Sequence, residues 1–317
     1  MRGLVRTVRG DIAPAELGRV DYHEHLFQVS PLLPGDDLDD ERASGAEAAS
    51  LRTSGFEAMV DATPLGLGRR PAAIRRISAA TGLRVVLTTG VHRREHYAED
   101  DPLLAASVDD LAAAFLRDLR DGARELGGDA DAGGDAGDAD AVRAGVLKVG
   151  LGYWRIDRLA RTAIEAAGEA HRLTGAPVMV HLEHGTAGFE ALDALAAAGV
   201  AADRVALAHI DRNPDPGLHS DLAAAGAFLG YDGAARARDW PDSVLVDCLV
   251  AAAAAGAADR ILLGGDVARR TRYRAYGGLP GLGYLGERFV PRVAAAGGDA
   301  LVDRVLRANP AAWLTWR

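Results

Sequence analysis

Two histidines two residues apart, His23 and His25, stand at the end of the first β-rich run of this chain. On an extended backbone alternate side chains point to one side, so both imidazoles face the same way. Groups of similar chemistry stand at the ends of later runs. Lys148 lies in Val146–Val149, His181 ends Val178–His181, His209 ends Val205–His209, and Asp266 follows Gly264-Gly265. Imidazole nitrogens with a carboxylate form a ligand set for a divalent transition metal. A lone histidine at a strand end is more often a hydrogen-bonded core residue than a ligand. Four of only nine histidines, with one lysine and one aspartate, at five separate strand ends are hard to attribute to chance. Lys148 is the odd member, because an unpaired cation is costly in an apolar strand. It reads either as half of a buried ion pair or as an amine that CO₂ carbamylates into a metal-bridging carboxylate.

The elements that must position these residues alternate along the chain. Strands are expected at Val20–His23, Ala58–Thr63, Arg84–Thr89, Val146–Val149, Val178–His181, Val205–His209, Ala227–Tyr231 and Ile261–Leu263. Helical patterns fall between them at Pro71–Thr81, Ser107–Leu126, Arg158–Thr174, Thr186–Ala198, Pro216–Ala225 and Pro241–Ala257. Gly82 after Thr81, and Gly175 followed by Pro177, read as helix C-caps. Eight βα repeats predict an α/β fold, a single-domain (β/α)₈ TIM barrel over residues 1–317, with its active site at the C-terminal ends of the strands. Two stretches interrupt the rhythm. Pro31–Gly45 is acidic and loop-like. Residues 127–140 contain only Gly, Asp and Ala; their aspartates fit an EF-hand loop poorly, so they read as a flexible, solvated insertion.

The chain has 317 residues, 36 Lys and Arg against 45 Asp and Glu, and a formal charge of −9. That balance argues against nucleic acid or an anionic membrane as the main partner and leaves a small-molecule substrate. The single cysteine, Cys248, rules out an internal disulfide and fits a reducing, cytoplasmic setting. No apolar signal core follows the basic first ten residues, and no run is long and apolar enough to span a membrane.

With these motifs in order, the chain resembles the phosphotriesterase-related family of the amidohydrolase superfamily over nearly its whole length. The resemblance rests on His23-Glu24-His25-Leu26, on Val60-Asp61-Ala62-Thr63 with Gly66-Leu67-Gly68-Arg69, and on Thr89-Gly90-Val91. It continues through Gly145-Val146-Leu147-Lys148, Gly175-Ala176-Pro177 with His181, and His209-Ile210-Asp211-Arg212-Asn213, closing with Gly265-Asp266-Val267-Ala268-Arg269 and Asn309-Pro310. It implies a binuclear centre. His23, His25 and Asp266 would hold the more buried ion, His181 and His209 the more exposed one, with carbamylated Lys148 and a hydroxide between them. Zinc is the first expectation, with manganese, cobalt and iron as alternatives. Asp266 would then be both ligand and catalytic proton acceptor. A homodimer is the assembly the resemblance suggests.

Substrate choice within such a family must lie in the loops after strands seven and eight. Here they are basic, with Arg236 and Arg238 in one and Arg269, Arg270, Arg272 and Arg274 in the other. Arginines so placed suit a phosphate, as in the family's sugar-phosphate lactonases, where an Arg-plus-Tyr pair grips that group. Arg272 stands near the expected tyrosine, with Tyr273 beside it. The candidate substrate contacts are therefore Arg236, Arg238, Arg269, Arg272 and Tyr273, together with Tyr97. The bland reading is that these arginines pair at the surface with Asp232, Asp239 or Asp242. A lactonase for a plain or phosphorylated sugar lactone is the leading expectation. A phosphotriesterase or acyl-homoserine lactonase would instead need an apolar, aromatic mouth, to which Trp240, Tyr273, Tyr276 and Tyr284 are candidates. A metal-binding barrel without turnover is the alternative of another class.

Overall fold

A computed structural model describes residues 3–124 and 141–317. The insertion read at 127–140 lies outside the described residues. An antiparallel hairpin, β1 (Val5–Thr7) and β2 (Gly10–Ile12), opens the chain. The next eight strands are β3 (Val20–Glu24), β4 (Ala58–Asp61), β5 (Arg84–Val91), β6 (Ala144–Leu151), β7 (Val178–Leu182), β8 (Val205–Ala208), β9 (Phe228–Tyr231) and β10 (Ile261–Leu263). They pair in chain order and all are parallel. The last returns to the first where the Asp266 amide donates to the His23 carbonyl at 2.9 Å. The result is the (β/α)₈ barrel expected from the alternation.

Helices α1 (Glu41–Thr53), α2 (Pro71–Thr81), α3 (Val108–Arg120), α4 (Arg158–Thr174), α5 (Gly188–Ala197), α6 (Pro216–Ala224) and α7 (Asp242–Ala252) connect the strands. Three more, α8 (Val290–Gly297), α9 (Asp299–Asp303) and α10 (Asn309–Leu314), follow the last strand. Helices α2 and α4 end at Gly82 and Gly175, left-handed at φ 73° and 79°, a conformation that a side chain would strain. Apolar side chains form two buried layers. Val20, Tyr22, Val60, Val86, Val146, Met179, Ala206, Phe228 and Leu262 fill the barrel, and Trp313 and Leu314 of α10 belong to the same cluster. The larger layer lies between strands and helices, where Leu87, Leu147, Val180, Leu207 and Leu229 meet Phe115, Ile164, Leu195 and Leu249. Alternate strand residues thus serve two apolar environments, which is why the strands read as continuous hydrophobic runs.

Several expectations need correction. The stretch Pro31–Gly45 is not all loop, because α1 begins at Glu41, where the Asp40 side chain accepts from the Ala43 amide at 2.9 Å. An acidic residue there is an N-cap for the free amides of the first turn. The helix expected at Ser107–Leu126 stops at Arg120. The hairpin and the three helices after β10 were not anticipated. Among the described residues, no helix is long and apolar enough to cross a membrane.

Candidate metal centre

The C-terminal ends of the strands enclose a polar cavity of about 130 Å³. His23, His25, Lys148, His181, His209 and Asp266 all line it, so the structure brings together the six groups singled out at five strand ends. Strand β3 delivers His23 beside a shift in its register with β4, and His25 follows one residue past the strand. Among the described residues, seven other than glycine have left-handed backbones, namely Trp154, His184, Ala187, His209, Ala235, Asp266 and Ala268. All seven lie beyond the C-terminal ends of β6 to β10, two of them at the site itself. Strain of this kind persists where the surroundings over-determine it, and it concentrates at functional sites.

Each of the four histidines is held by one ring nitrogen, which determines what the other can do. His23 Nδ1 lies 3.1 Å from Asp232 Oδ2, and His209 Nδ1 lies 2.7 Å from Asp232 Oδ1. His181 Nε2 lies 3.0 Å from Glu183 Oε2. His25 Nδ1 lies 2.7 Å from Thr63 Oγ1, whose hydroxyl donates to the Phe27 carbonyl, so the imidazole must be the donor in that pair. With these nitrogens donating N–H, the remaining nitrogens carry lone pairs. His23 Nε2 is buried without any hydrogen-bond partner. His209 Nε2 and His181 Nδ1 face each other at 2.7 Å. Two opposed lone pairs at that distance repel unless a cation sits at them. Burial pushes His209 down to about 3, His25 to about 4, and His181 well below its ordinary value, so all three are neutral ligands at neutral pH.

Asp266 supplies the carboxylate. Its Oδ1 is 3.7 Å from His23 Nε2 and 3.5 Å from His25 Nε2. Its Oδ2 accepts from Arg212 at 2.7 Å and also from Arg236. Burial alone would raise its pKa, but the Arg236 guanidinium beside it holds it well below the usual carboxylate range. Among the described residues, two groups have ligand atoms close enough to share an ion, His23, His25 and Asp266, and His23, His209 and Asp232. In the second, the carboxylate of Asp232 is already engaged by the two imidazoles and by the Tyr22 hydroxyl, so it orients ligands rather than adding one. Lys148 is buried, and its Nζ donates to the Ala62 carbonyl at 2.9 Å. Burial pushes its amine down to about 8, against the pull of Asp266, Asp232 and Asp61.

The orphaned His23 nitrogen, the opposed His181–His209 pair and the Asp266 carboxylate together fit divalent cations, and Lys148 lines the same cavity. The donor chemistry is that of a site for borderline metals such as zinc.

Of the candidate substrate contacts, Arg236 and Arg269 line the cavity and the other four do not. Arg238 is exposed at the surface. Arg272 is half-buried, donating to the Val267 carbonyl at 3.4 Å. Tyr273 is buried, with its hydroxyl bound to the His25 carbonyl. Tyr97 is also buried; its hydroxyl donates to the Leu65 carbonyl at 3.0 Å and accepts from the His92 amide at 2.8 Å. Each tyrosine hydroxyl is satisfied by backbone, so the side chains brace loops. Asp232 is likewise no surface partner of arginines, being fully buried under two histidines. The reading of the sequence missed Arg212, Asp232, Glu183, Arg93, His92 and His96. Arg212, His92 and Asp232 fall within a few residues of strand C-termini, so the strand-end rule applied to every polar residue would have found them.

Residues 3–314 match the Phosphotriesterase family. The chain is 29% identical over 320 residues to a phospho-furanose lactonase of Mycoplasmopsis agalactiae, covering 96% of this chain and 90% of that one. A solved lactonase from Listeria monocytogenes superposes with a TM-score of 0.89 at 30% identity, covering 99% of both chains. The phosphotriesterase homology protein of Escherichia coli, solved with phosphate in its active site, gives a TM-score of 0.83 at 27% identity, covering 94% of this chain and 99% of that one.

Proposed function

The chain belongs to the phosphotriesterase family and is a hydrolase acting on ester bonds, and from that premise we propose that it is a two-metal lactonase for a small lactone carrying a phosphate group. His23, His25 and Asp266 would hold one ion, His181 and His209 the other, and Lys148, as its carbamate, would link them. Bound there, two divalent cations supply a water acidified to nucleophilic strength and polarise the lactone carbonyl. Asp266 presents Oδ1 to the space shared with His23 and His25, while Arg212 and Arg236 hold Oδ2. So oriented, it takes the proton of the attacking water. Its lowered pKa prevents it from keeping that proton, which passes to the alkoxide released as the ring opens.

The observation that carries the substrate reading is the lining of the cavity. Four arginines, Arg93, Arg212, Arg236 and Arg269, stand in the same small space as the proposed metal ligands, and among the described residues no Trp, Tyr or Phe lines it. None of Trp240, Tyr273, Tyr276 and Tyr284, the candidates for an apolar mouth, lines the cavity. Trp240 Nε1 donates to the Arg212 carbonyl, Tyr276 is bonded to Asp40 and Ser44, and Tyr284 donates to Asp242. Tyr273 is bound to the His25 carbonyl. A compact, cationic, non-aromatic site disfavours a neutral organophosphate or a long acyl chain and suits a phosphate beside a polar ring. Two of the three relatives named above are a phospho-furanose lactonase and a protein solved with phosphate, which accords with this choice.

Arg269 gives the test. Its guanidinium is exposed at the rim and only loosely paired, 3.4 Å from Asp36. A charge-assisted contact to phosphate contributes roughly 1.5–3 kcal/mol, about one to two decades in kcat/KM. Arg269→Ala is therefore expected to slow a phosphorylated lactone by that factor and to change the matching unphosphorylated lactone little. A wild-type enzyme with no preference for the phosphorylated member would remove the phosphate from the reading and return the organophosphate and acyl-lactone alternatives.

A further inference from the structure

Two histidines in the cavity are not metal ligands in the arrangement above. His92 and His96 both lie in the segment after β5, both are buried, and both line the cavity. Their rings stack with centroids 3.8 Å apart, and His92 lies 4.5 Å from the ring of His181. The segment is held rigidly. The Tyr97 hydroxyl pins the His92 amide, and a Cβ on Gly150 would come within 2.2 Å of the Arg93 nitrogen, so β6 can take only glycine there.

The hydrogen bonds assign the two rings opposite tautomers. His92 Nδ1 accepts the Arg93 backbone N–H at 2.8 Å, so its proton is on Nε2. The Ser30 hydroxyl donates its only proton to the His96 carbonyl at 3.0 Å, so at 3.1 Å it must accept from His96 Nδ1. His96 Nε2 is therefore a lone pair. Accepting at Nδ1 makes His92 neutral, and burial favours the neutral form of His96. A donor on one ring and an acceptor on its stacked neighbour thus belong to one wall of the site. A phosphate oxygen can only accept from such a pair, and an alkyl chain can do neither. An alcohol both donates and accepts.

We propose that His92 and His96 together read a ring hydroxyl of the lactone, His92 donating to its oxygen from Nε2 and His96 accepting its proton at Nε2. The inference rests on the lactonase reading and deepens it, making the substrate a hydroxylated lactone and the two histidines specificity-determining residues. The phosphate and the ring hydroxyl are then recognised by different residues, the arginines at the rim and the histidine pair deeper in.

The test uses the metal-loaded full chain and five-membered phosphorylated sugar lactones, each compared with its counterpart lacking one ring hydroxyl. Wild type is expected to favour the hydroxylated member of one such pair by about ten- to hundredfold in kcat/KM, because a site built to bond a hydroxyl rejects the analogue without it. His92→Leu and His96→Leu should each bring that ratio toward one, and His92→Gln, which keeps an N–H donor, should restore part of it. Metal content is measured alongside, which separates a lost hydroxyl contact from a disturbed centre. Equal rates on every pair by wild type, or a ratio that survives both leucine variants, overturns the inference; the wild-type comparison decides even if a variant does not fold. Hydrolysis of neither member of any pair overturns the lactonase reading and this inference with it, whereas equal hydrolysis of both leaves the lactonase reading standing.

Discussion

Asp266→Asn is expected to lower kcat by about 10²–10⁴-fold while the barrel stays folded. The asparagine keeps the size of the side chain, and it tolerates the left-handed backbone that residue 266 adopts at φ 41°. What it loses is the charge. On the proposed mechanism Oδ1 could no longer accept the proton of the attacking water as a carboxylate, and the ion proposed at His23 and His25 would lose an anionic ligand. Arg212 and Arg236 are left beside a neutral amide instead of the carboxylate they bracket. Steady-state rates and metal content on the same preparation separate the two effects, since loss of the ion lowers both together and loss of the base lowers kcat alone. Near-normal turnover would remove Asp266 from the mechanism.

Lys148→Ala should abolish metal binding and activity together, and Lys148→Arg should fail equally. The state of the amine decides both outcomes. Burial pushes it down to about 8, so roughly a tenth is neutral at pH 7, several hundred times more than for an ordinary lysine. The neutral amine attacks CO₂ and releases a proton, leaving a carbamate of charge −1 where a cation had been. Raising the pH toward 8 therefore favours the modification, and lowering it favours the free ammonium. A guanidinium cannot follow this route. Short carboxylic acids added with metal should partly restore the alanine variant by supplying the missing bridge. An active Lys148→Arg enzyme would refute it.

How much of this was legible beforehand varied with how local the signal was. The barrel was, because eight short apolar runs alternated with helical patterns, and because Gly82 and Gly175 marked helix ends. The ligand set was, because strand ends are local in sequence. Helix α1 was hidden because acidic residues that look like loop composition include the Asp40 cap. Helices after β10 are interrupted by wide turns at Leu285–Phe289 and Arg304–Ala308, which blur their periodicity. Asp232 sits four residues before Arg236 and so looked like a surface partner, whereas burial under His23 and His209 is a tertiary fact. Tyr97 and Tyr273 looked like substrate contacts, but which way a hydroxyl turns depends on the carbonyls of Leu65 and His25, distant in sequence. His92 and His96 were passed over because they lie in a loop whose path is set by contacts with Gly150, Tyr97 and Ser30.

We propose above all that His23, His25, His181, His209, Lys148 and Asp266 hold metal on which hydrolysis depends. Elemental analysis of chain purified without chelator, paired with lactone hydrolysis before and after chelation, tests it most directly. About two divalent ions per chain are expected, as in two-metal hydrolases, with activity falling as they are removed and returning as they are restored. Undiminished hydrolysis by chain stripped of metal would contradict the account.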